Sequence, residues 1–569
     1  MSDNNIPGFD LVDEPWLPCL MTEGSTRELG LRDVLLGAHL VRELSLDVPT
    51  QLPPVLRLLL AIVHRALRQP GTSGGPRSRQ AWTHLWELAA PPRDPVSRYL
   101  YESRDSFQLF HPAAPFMQVA GLETTSGEAK TVAQLIPFAA KGNNAPLFSA
   151  ARDDDPPSLT CGEAARWFLH VHAWDTAAIK TGAIGDSHVK GGKTTGNPVG
   201  PLGQLGVLIP AGRTLWHTLL FNLLVLGDET SPADDGPAWE AGPLSAQWQE
   251  RHPRGVLDLY TWPGRRIRLV PEQTASGVRV RHAIVAAGDR IADITTLTRL
   301  EPHTAWRRSE AQENRRKRPR VYMPVRHQPG RQLWRGLGPI LAQAQADRPG
   351  AEDQNRGPLV LEQLAGRAEQ LQGEPIRLFG TGITYGNQFA VIEETYADIM
   401  PLPVAVLADR GGWEAAALDA VRAAEDAAKA LANLTANLAR AAGCDDGRLL
   451  NNRRGEARAR LYAELDRRFR KWIAGLGETI GGSAEALSRW RNQVRERADQ
   501  IASELIDTVP PKAVRGREVQ LSRERSQLVN AARAEIWFNR ALREARLTIA
   551  VAANPQAVSV LRADEEVPV

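Results

Sequence analysis

Met400-Pro401-Leu402-Pro403 divides this 569-residue chain into two textures. Its two prolines disfavour helix, and the residue before each is pushed towards extended backbone. Upstream, residues 1 to about 400 are mixed and carry many prolines, glycines and tryptophans. Downstream, residues from about 404 to 552 are rich in Ala, Leu, Arg and Glu and contain few prolines. The fold read from this contrast is α+β: a mixed N-terminal globular domain over 1–400, then a C-terminal four-helix bundle over 404–569.

Working downstream, residues 413–442 form a long Ala/Leu pattern ended by Gly443. Residues 457–473 place Leu461, Leu465, Phe469 and Trp472 at helical spacing. Residues 483–506 follow, with Ser483 read as the N-cap and Glu485 in the first turn. After Pro510-Pro511, residues 522–551 read as the last helix, with Leu528, Ala532, Ile536 and Phe538 spaced for burial. Upstream, residues 52–67 and 163–172 read as helices. Residues 206–209, 257–260 and 283–286 read as strands, and the apolar run 215–226 as buried.

At this length two to four domains are expected. A composition of 43% hydrophobic and 24% charged residues is ordinary for globular proteins. The net charge is only +3, so any nucleic-acid role must come from local basic patches. Cys19, Cys161 and Cys444 lie far apart, which argues against a zinc site or a disulfide framework. Residues 1–10 show no apolar signal core, and no apolar run approaches the roughly 20 residues of a membrane span. A soluble, cytoplasmic protein without a membrane partner is the expectation.

Just upstream of the dividing prolines stands Gly382-Ile383-Thr384-Tyr385-Gly386-Asn387-Gln388-Phe389, a polar tip between two apolar runs. Gly382 and Gly386 permit a tight turn that projects Asn387 and Gln388. Both carry an uncharged amide with donors and an acceptor, which suits contact with bases better than acid–base chemistry. An ordinary hairpin turn is the plain alternative.

Three further stretches stand out. Residues 182–206 hold eight glycines interleaved with Lys190, Lys193, Thr194 and Thr195; such a loop brings backbone N–H groups close to phosphates. Gly192-Lys193-Thr194 looks like the end of a nucleotide-binding loop, but Ser187 stands where that pattern needs glycine. Residues 306–335 carry Arg307, Arg308, Arg315, Arg316, Lys317, Arg318 and Arg320, then Arg326, Arg331 and Arg335, against only Glu310 and Glu313. Trp306, Tyr322 and Trp334 interleave with them, a pattern that fits phosphate neutralisation as well as a solvated face. The third stretch is the polar loop with Lys141, Asn143 and Asn144. No histidine pair has metal-ligand spacing; His170 and His172 would lie on different sides of a helix. Asp153-Asp154-Asp155 before two prolines reads as a loop.

Taken in order, these stretches resemble the large (CasA-type) subunit of the type I-E CRISPR Cascade surveillance complex. The opening Phe9-Asp10-Leu11-Val12-Asp13-Glu14-Pro15-Trp16-Leu17-Pro18 is similar to that family's acidic start and Trp-[Ile/Leu]-Pro signature. His111-Pro112-Ala113-Ala114-Pro115-Phe116-Met117-Gln118 resembles its Pro-Phe-Met-Gln motif. The resemblance implies a non-catalytic subunit that recognises the protospacer-adjacent motif through the minor groove of duplex DNA. It implies help in starting R-loop formation and recruitment of a separate helicase–nuclease. Its partners would be other Cascade subunits, the 5′ handle of the CRISPR guide RNA and double-stranded target DNA. Gly386, Asn387 and Gln388 match the wedge. Gly191, Gly192, Lys193 and Gly196 match the glycine loop at the motif. Lys141, Asn143 and Asn144 match the guide-handle loop, and the run Arg307 to Arg320 marks the basic finger's region. Some relatives carry a cysteine cluster; its absence here implies no zinc, and no cofactor is expected. Two alternatives stay open: a nuclease or nucleotide hydrolase using Asp153–Asp155 or Lys193, and a helical scaffold without DNA contact.

Overall fold

The computed structural model describes residues 8–72, 74–139, 157–342, 354–478, 481–522 and 525–547. The chain forms two compact units, Met1–Ala408 and Asp409–Val569. The first mixes helices with small antiparallel sheets; the second is largely helical.

The first unit is organised round two apolar helices. Leu52–Ala66 is buried from Pro53 to Arg65. Cys161–Trp174 starts at a capping box, in which Thr160 accepts from the Glu163 amide while the Glu163 carboxylate accepts from the Thr160 amide. Both expected helices are therefore present. His170 and His172 are core residues: His170 shares a 2.9 Å hydrogen bond with Thr50, and His172 one of 3.1 Å with the Met117 carbonyl. The two motifs quoted for the family resemblance each have a buried part, Trp16-Leu17 in one and Phe116-Met117-Gln118 in the other. Trp16 is fully buried and donates to the Leu11 carbonyl. Gln118 donates to the Leu109 carbonyl and accepts from the Leu269 amide. These buried side chains hold the fold together.

Three sheets frame the exposed loops of this unit. A long hairpin pairs Arg265–Thr274 with Gly277–Ala287. A three-stranded sheet runs Ile392–Pro401, Arg377–Tyr385, Val207–Ala211. A third pairs Trp306–Arg308 with Tyr322–Pro324 and with Asn355–Arg356. The expected strands at 206–209 and 283–286 fall inside these sheets. Residues 257–260 do not: Val256–Tyr260 is a short helix. Its five residues are all buried, so no periodicity separates strand from helix. A distant carboxylate decides the matter, because Asp235 accepts from the Leu257 and Asp258 amides and so caps the turn.

In the second unit Trp413–Ala441 is the central helix, packed against Gly447–Ala474, Gly482–Asp507 and Ala531–Glu544. Its buried alanines at 416, 417, 420, 424, 427 and 428 let neighbours approach closely at little helical cost. Three expectations are corrected. Ser483 does not cap its helix; Gly481 takes that place at φ 95°, and Ser483 donates to the Gly411 carbonyl instead. The start of the expected last helix is strand instead: Arg517–Ser522 and Arg525–Val529 form a hairpin, and the helix begins only after Asn530, whose side chain accepts from the Arg533 amide. Its buried face is Ala531, Ala534, Phe538 and Leu542; of the four residues expected there only Phe538 is buried, while Leu528, Ala532 and Ile536 are exposed. Val519 and Val529 pack with Ala441 and Ala513, a contact distant in sequence that propensity does not register.

Candidate nucleic-acid interface

The tip grows from the strands Arg377–Tyr385 and Ile392–Pro401, paired from Arg377 opposite Pro401 to Thr384 opposite Glu394, after which the register shifts and Tyr385 faces Ile392. The turn closes when the Gly386 amide donates to the Val391 carbonyl (2.9 Å) and the Phe389 amide to the Gly386 carbonyl (2.8 Å). Asn387, Gln388 and Phe389 are exposed. The tight conformation is not supplied by the glycines, contrary to the sequence expectation. Gly382 lies within the strand and Gly386 has φ −76°; the left-handed residues are Gln388 (φ 54°) and Phe389 (φ 56°). An added Cβ at 386 would lie 2.5 Å from Glu393 Oε1 and 2.9 Å from Val391 Cγ2, so those two side chains would have to shift to admit it.

The tip is tied to the body at two points. Tyr385 donates through its hydroxyl to the Trp174 carbonyl (2.6 Å), at the end of the helix Cys161–Trp174. The Ala177 amide donates to the Phe389 carbonyl (2.9 Å). Between these points sits Asp175, paired with Lys180 (2.5 Å) and Arg265 (2.6 Å). Burial alone would raise the Asp175 carboxyl, but the Lys180 ammonium and the Arg265 guanidinium outweigh it and hold it well below the usual carboxylate range.

Lys180 also opens the glycine-rich segment. Lys180–Thr181 pairs with Lys193–Thr194, and the Gly182 amide donates to the Gly192 carbonyl. Lys190 and Lys193 exchange both backbone hydrogen bonds across Gly191 (φ 56°) and Gly192 (φ 74°). Two successive positive φ angles in a two-residue loop are the condition for a tight hairpin turn whose twist matches its strands. Buried Asp186 accepts from His188 and from the Trp248 indole (3.1 Å), and the His188 ring stacks on Trp248 at 4.0 Å. Arg290 covers Trp248 and donates to the Thr195 carbonyl and to Asn197. Gly196 is left-handed too (φ 67°), and Lys193 is exposed on a strand. The segment is a pinned hairpin without the strand–loop–helix order that a nucleotide-binding loop requires.

The basic run forms an excursion between Trp306–Arg308 and Tyr322–Pro324. Glu310–Arg316 is a helix with no buried residue, ended by Lys317 in the left-handed region (φ 50°). Arg308 is engaged by both Glu313 oxygens (2.7 and 3.1 Å), and Arg316 pairs with Asp293 (2.6 Å). Arg318 donates to Thr295. Arg307, Arg315, Lys317 and Arg320 are exposed, and no ion pair holds Arg307, Arg315 or Lys317 among the described residues. Past Tyr322–Pro324 the chain reaches Arg326, whose guanidinium lies 5.5 Å from the Phe389 ring centre. The exit strand of the excursion therefore leads to the tip.

Two readings lie beyond the described residues: Lys141, Asn143 and Asn144, and Asp153–Asp155. Sequence reasoning missed Asp186, Trp248 and Arg290, which build the glycine hairpin, and the meeting of Arg326 with Phe389. None carries a local signal, because each acts on residues far away in the chain.

An α+β body bearing an amide-tipped hairpin, a glycine hairpin and a cationic excursion, joined to a helical bundle, is the architecture of a class of CRISPR-associated proteins. A family model described as CRISPR-associated protein Cse1 matches residues 10–501. The chain belongs to the Cse1 family, the CasA-type large subunits of Cascade. Over 279 residues it is 35% identical to CRISPR-associated protein CasA/Cse1 of Thermus thermophilus, which is 48% of this chain and 50% of that protein. The match thus spans about half the length of that curated relative. The structure is similar to Thermobifida fusca Cse1, with a TM-score of 0.82 and 33% identity over 95% of this chain and 99% of the other. Similarity to Acidimicrobium ferrooxidans Cse1 gives a TM-score of 0.79 and 31% identity, over 95% and 98% of the two chains.

Proposed function

We propose that this chain is the non-catalytic subunit of an RNA-guided DNA-surveillance complex that reads the protospacer-adjacent motif and starts duplex opening. It reads from the minor groove, where the pattern of donors and acceptors is degenerate. A few amides then accept several related motifs, and sequence proper is left to guide pairing. The observation that carries this reading is the tip: Asn387 and Gln388 are exposed on a turn fixed by three backbone hydrogen bonds and by a buried ion-paired anchor. Uncharged amides there replace base-pair hydrogen bonds at a fork. Gly191, Gly192, Lys193 and Gly196 lie against the motif, where small residues allow close backbone approach. Lys141, Asn143 and Asn144 meet the guide's 5′ handle. Other Cascade subunits and a recruited helicase–nuclease complete the assembly.

The test is binding of short duplexes, with and without candidate motifs, to the reconstituted guide-RNA complex with and without this chain. Asn387→Ala weakens discrimination between motifs by about 1–3 kcal/mol. Gln388→Ala reduces duplex opening more than it reduces guide binding. Equal binding of motif-bearing and motif-less DNA by the unmodified complex, or no change in either variant, sinks the assignment.

A further inference from the structure

Phe389 is the residue at the tip that an amide wedge leaves unexplained. It follows Gln388 directly, is 43% exposed, and holds a left-handed backbone angle that a bulky residue rarely adopts. The ring stays partly in solvent, with the Tyr385 ring inclined to it at 62° and 6.2 Å between centres. Arg326 lies over the ring at 5.5 Å, steadied by donation from its Nε to the Gln204 carbonyl (3.2 Å). No carboxylate pairs with Arg326 among the described residues. The Glu393 side chain lies beside Gly386, and Glu393 and Glu394 are both exposed. These acids disfavour a phosphate at the tip. The uncharged face of a base meets no such penalty, and an aromatic ring under a guanidinium is a surface on which bases stack whatever their identity.

Resting on the reading of the tip as a duplex-opening wedge, we propose that Phe389, backed by Arg326, is a stacking platform for the nucleobase unpaired beside Gln388. Gln388 satisfies lost hydrogen bonds, and Phe389 replaces lost stacking. Capture of the flipped base then favours the open state without adding sequence preference.

The experiment uses the reconstituted guide-RNA complex and a motif-bearing duplex in which 2-aminopurine replaces a base of the first pair beyond the motif, on either strand in turn. With the unmodified chain, one strand's probe shows emission quenched by stacking. In Phe389→Ala the open fraction falls roughly tenfold, and on a duplex whose first pair beyond the motif is mismatched, and so already open, the probe's emission rises several-fold. Phe389→Tyr restores both, whereas Phe389→Leu, apolar but not aromatic, restores neither. Rescue by leucine, or unchanged emission and opening in Phe389→Ala while Gln388→Ala loses opening, overturns the platform and leaves the wedge standing. No effect from either Gln388→Ala or Phe389→Ala overturns both.

Discussion

Gly191 and Gly192 both hold positive φ (56° and 74°), and the hairpin they close carries no side chain at its apex. A β-branched residue in the left-handed region costs roughly 1–2 kcal/mol, whereas Asn visits it readily. Gly191→Val should therefore loosen the hairpin by about that amount, and Gly191→Asn should leave it nearly unchanged. Hydrogen exchange at the Lys193 and Gly182 amides, which donate to the Lys190 and Gly192 carbonyls, reads the difference. Equal protection in the two variants would contradict the turn assignment. The glycine-rich segment stood out in sequence because that composition has few uses, but its rigidity did not. The carboxylate of Asp186 and the indole of Trp248 supply it from 62 residues apart.

At the scale of elements, the basic excursion separates arginines that build from arginines left over. Arg308 holds the helix through Glu313, and Arg316 ties it to Asp293, so their loss should disorder the excursion. Arg315 and Lys317 make no ion pair among the described residues, so Arg315→Glu with Lys317→Glu should leave the fold intact. If they meet phosphates, binding weakens on every DNA sequence, and the slope of log K against log salt falls by about one per lost contact. An unchanged slope with unchanged affinity would leave these residues as a solvated face. In the bundle, Trp490 is fully buried, packs on Phe469 and Trp472, and donates to the Ala420 carbonyl of the central helix. Trp490→Ala should cost about 3–5 kcal/mol and shift the bundle's urea midpoint accordingly. A shift corresponding to under about 1 kcal/mol would show that the tryptophan does not set the packing.

Across the whole molecule, all twelve histidines precede Asp409. Burial pushes His64 and His327 down to about 4 and His172 to about 3. Each stays neutral in the fold but takes a proton when unfolded below its ordinary value of 6.5. The unfolded chain then binds more protons, so stability is full above about pH 6.5 and falls as pH drops towards 4, by about 1.4 kcal/mol per pH unit for each buried histidine. Hydrogen exchange resolved by segment should show protection of 52–66 and 161–174 falling between pH 7 and pH 5, after correction for intrinsic rates, while 413–507 holds steady. Parallel loss in both units would refute the assignment. The same contrast separates what the sequence determined from what it left open. Composition, helical periodicity and the paired prolines were enough for the α+β class, the helical C-terminal part and, through ordered motifs, the family, because those signals are local and repeat along the chain. The hairpin at 517–529, the helix at 256–260, the pinned glycine turn and the pairing of Arg326 with Phe389 were decided only in three dimensions. Each depends on one group, such as Ala441, Asp235 or Trp248, brought close by folding from a distance at which no periodicity or propensity registers it.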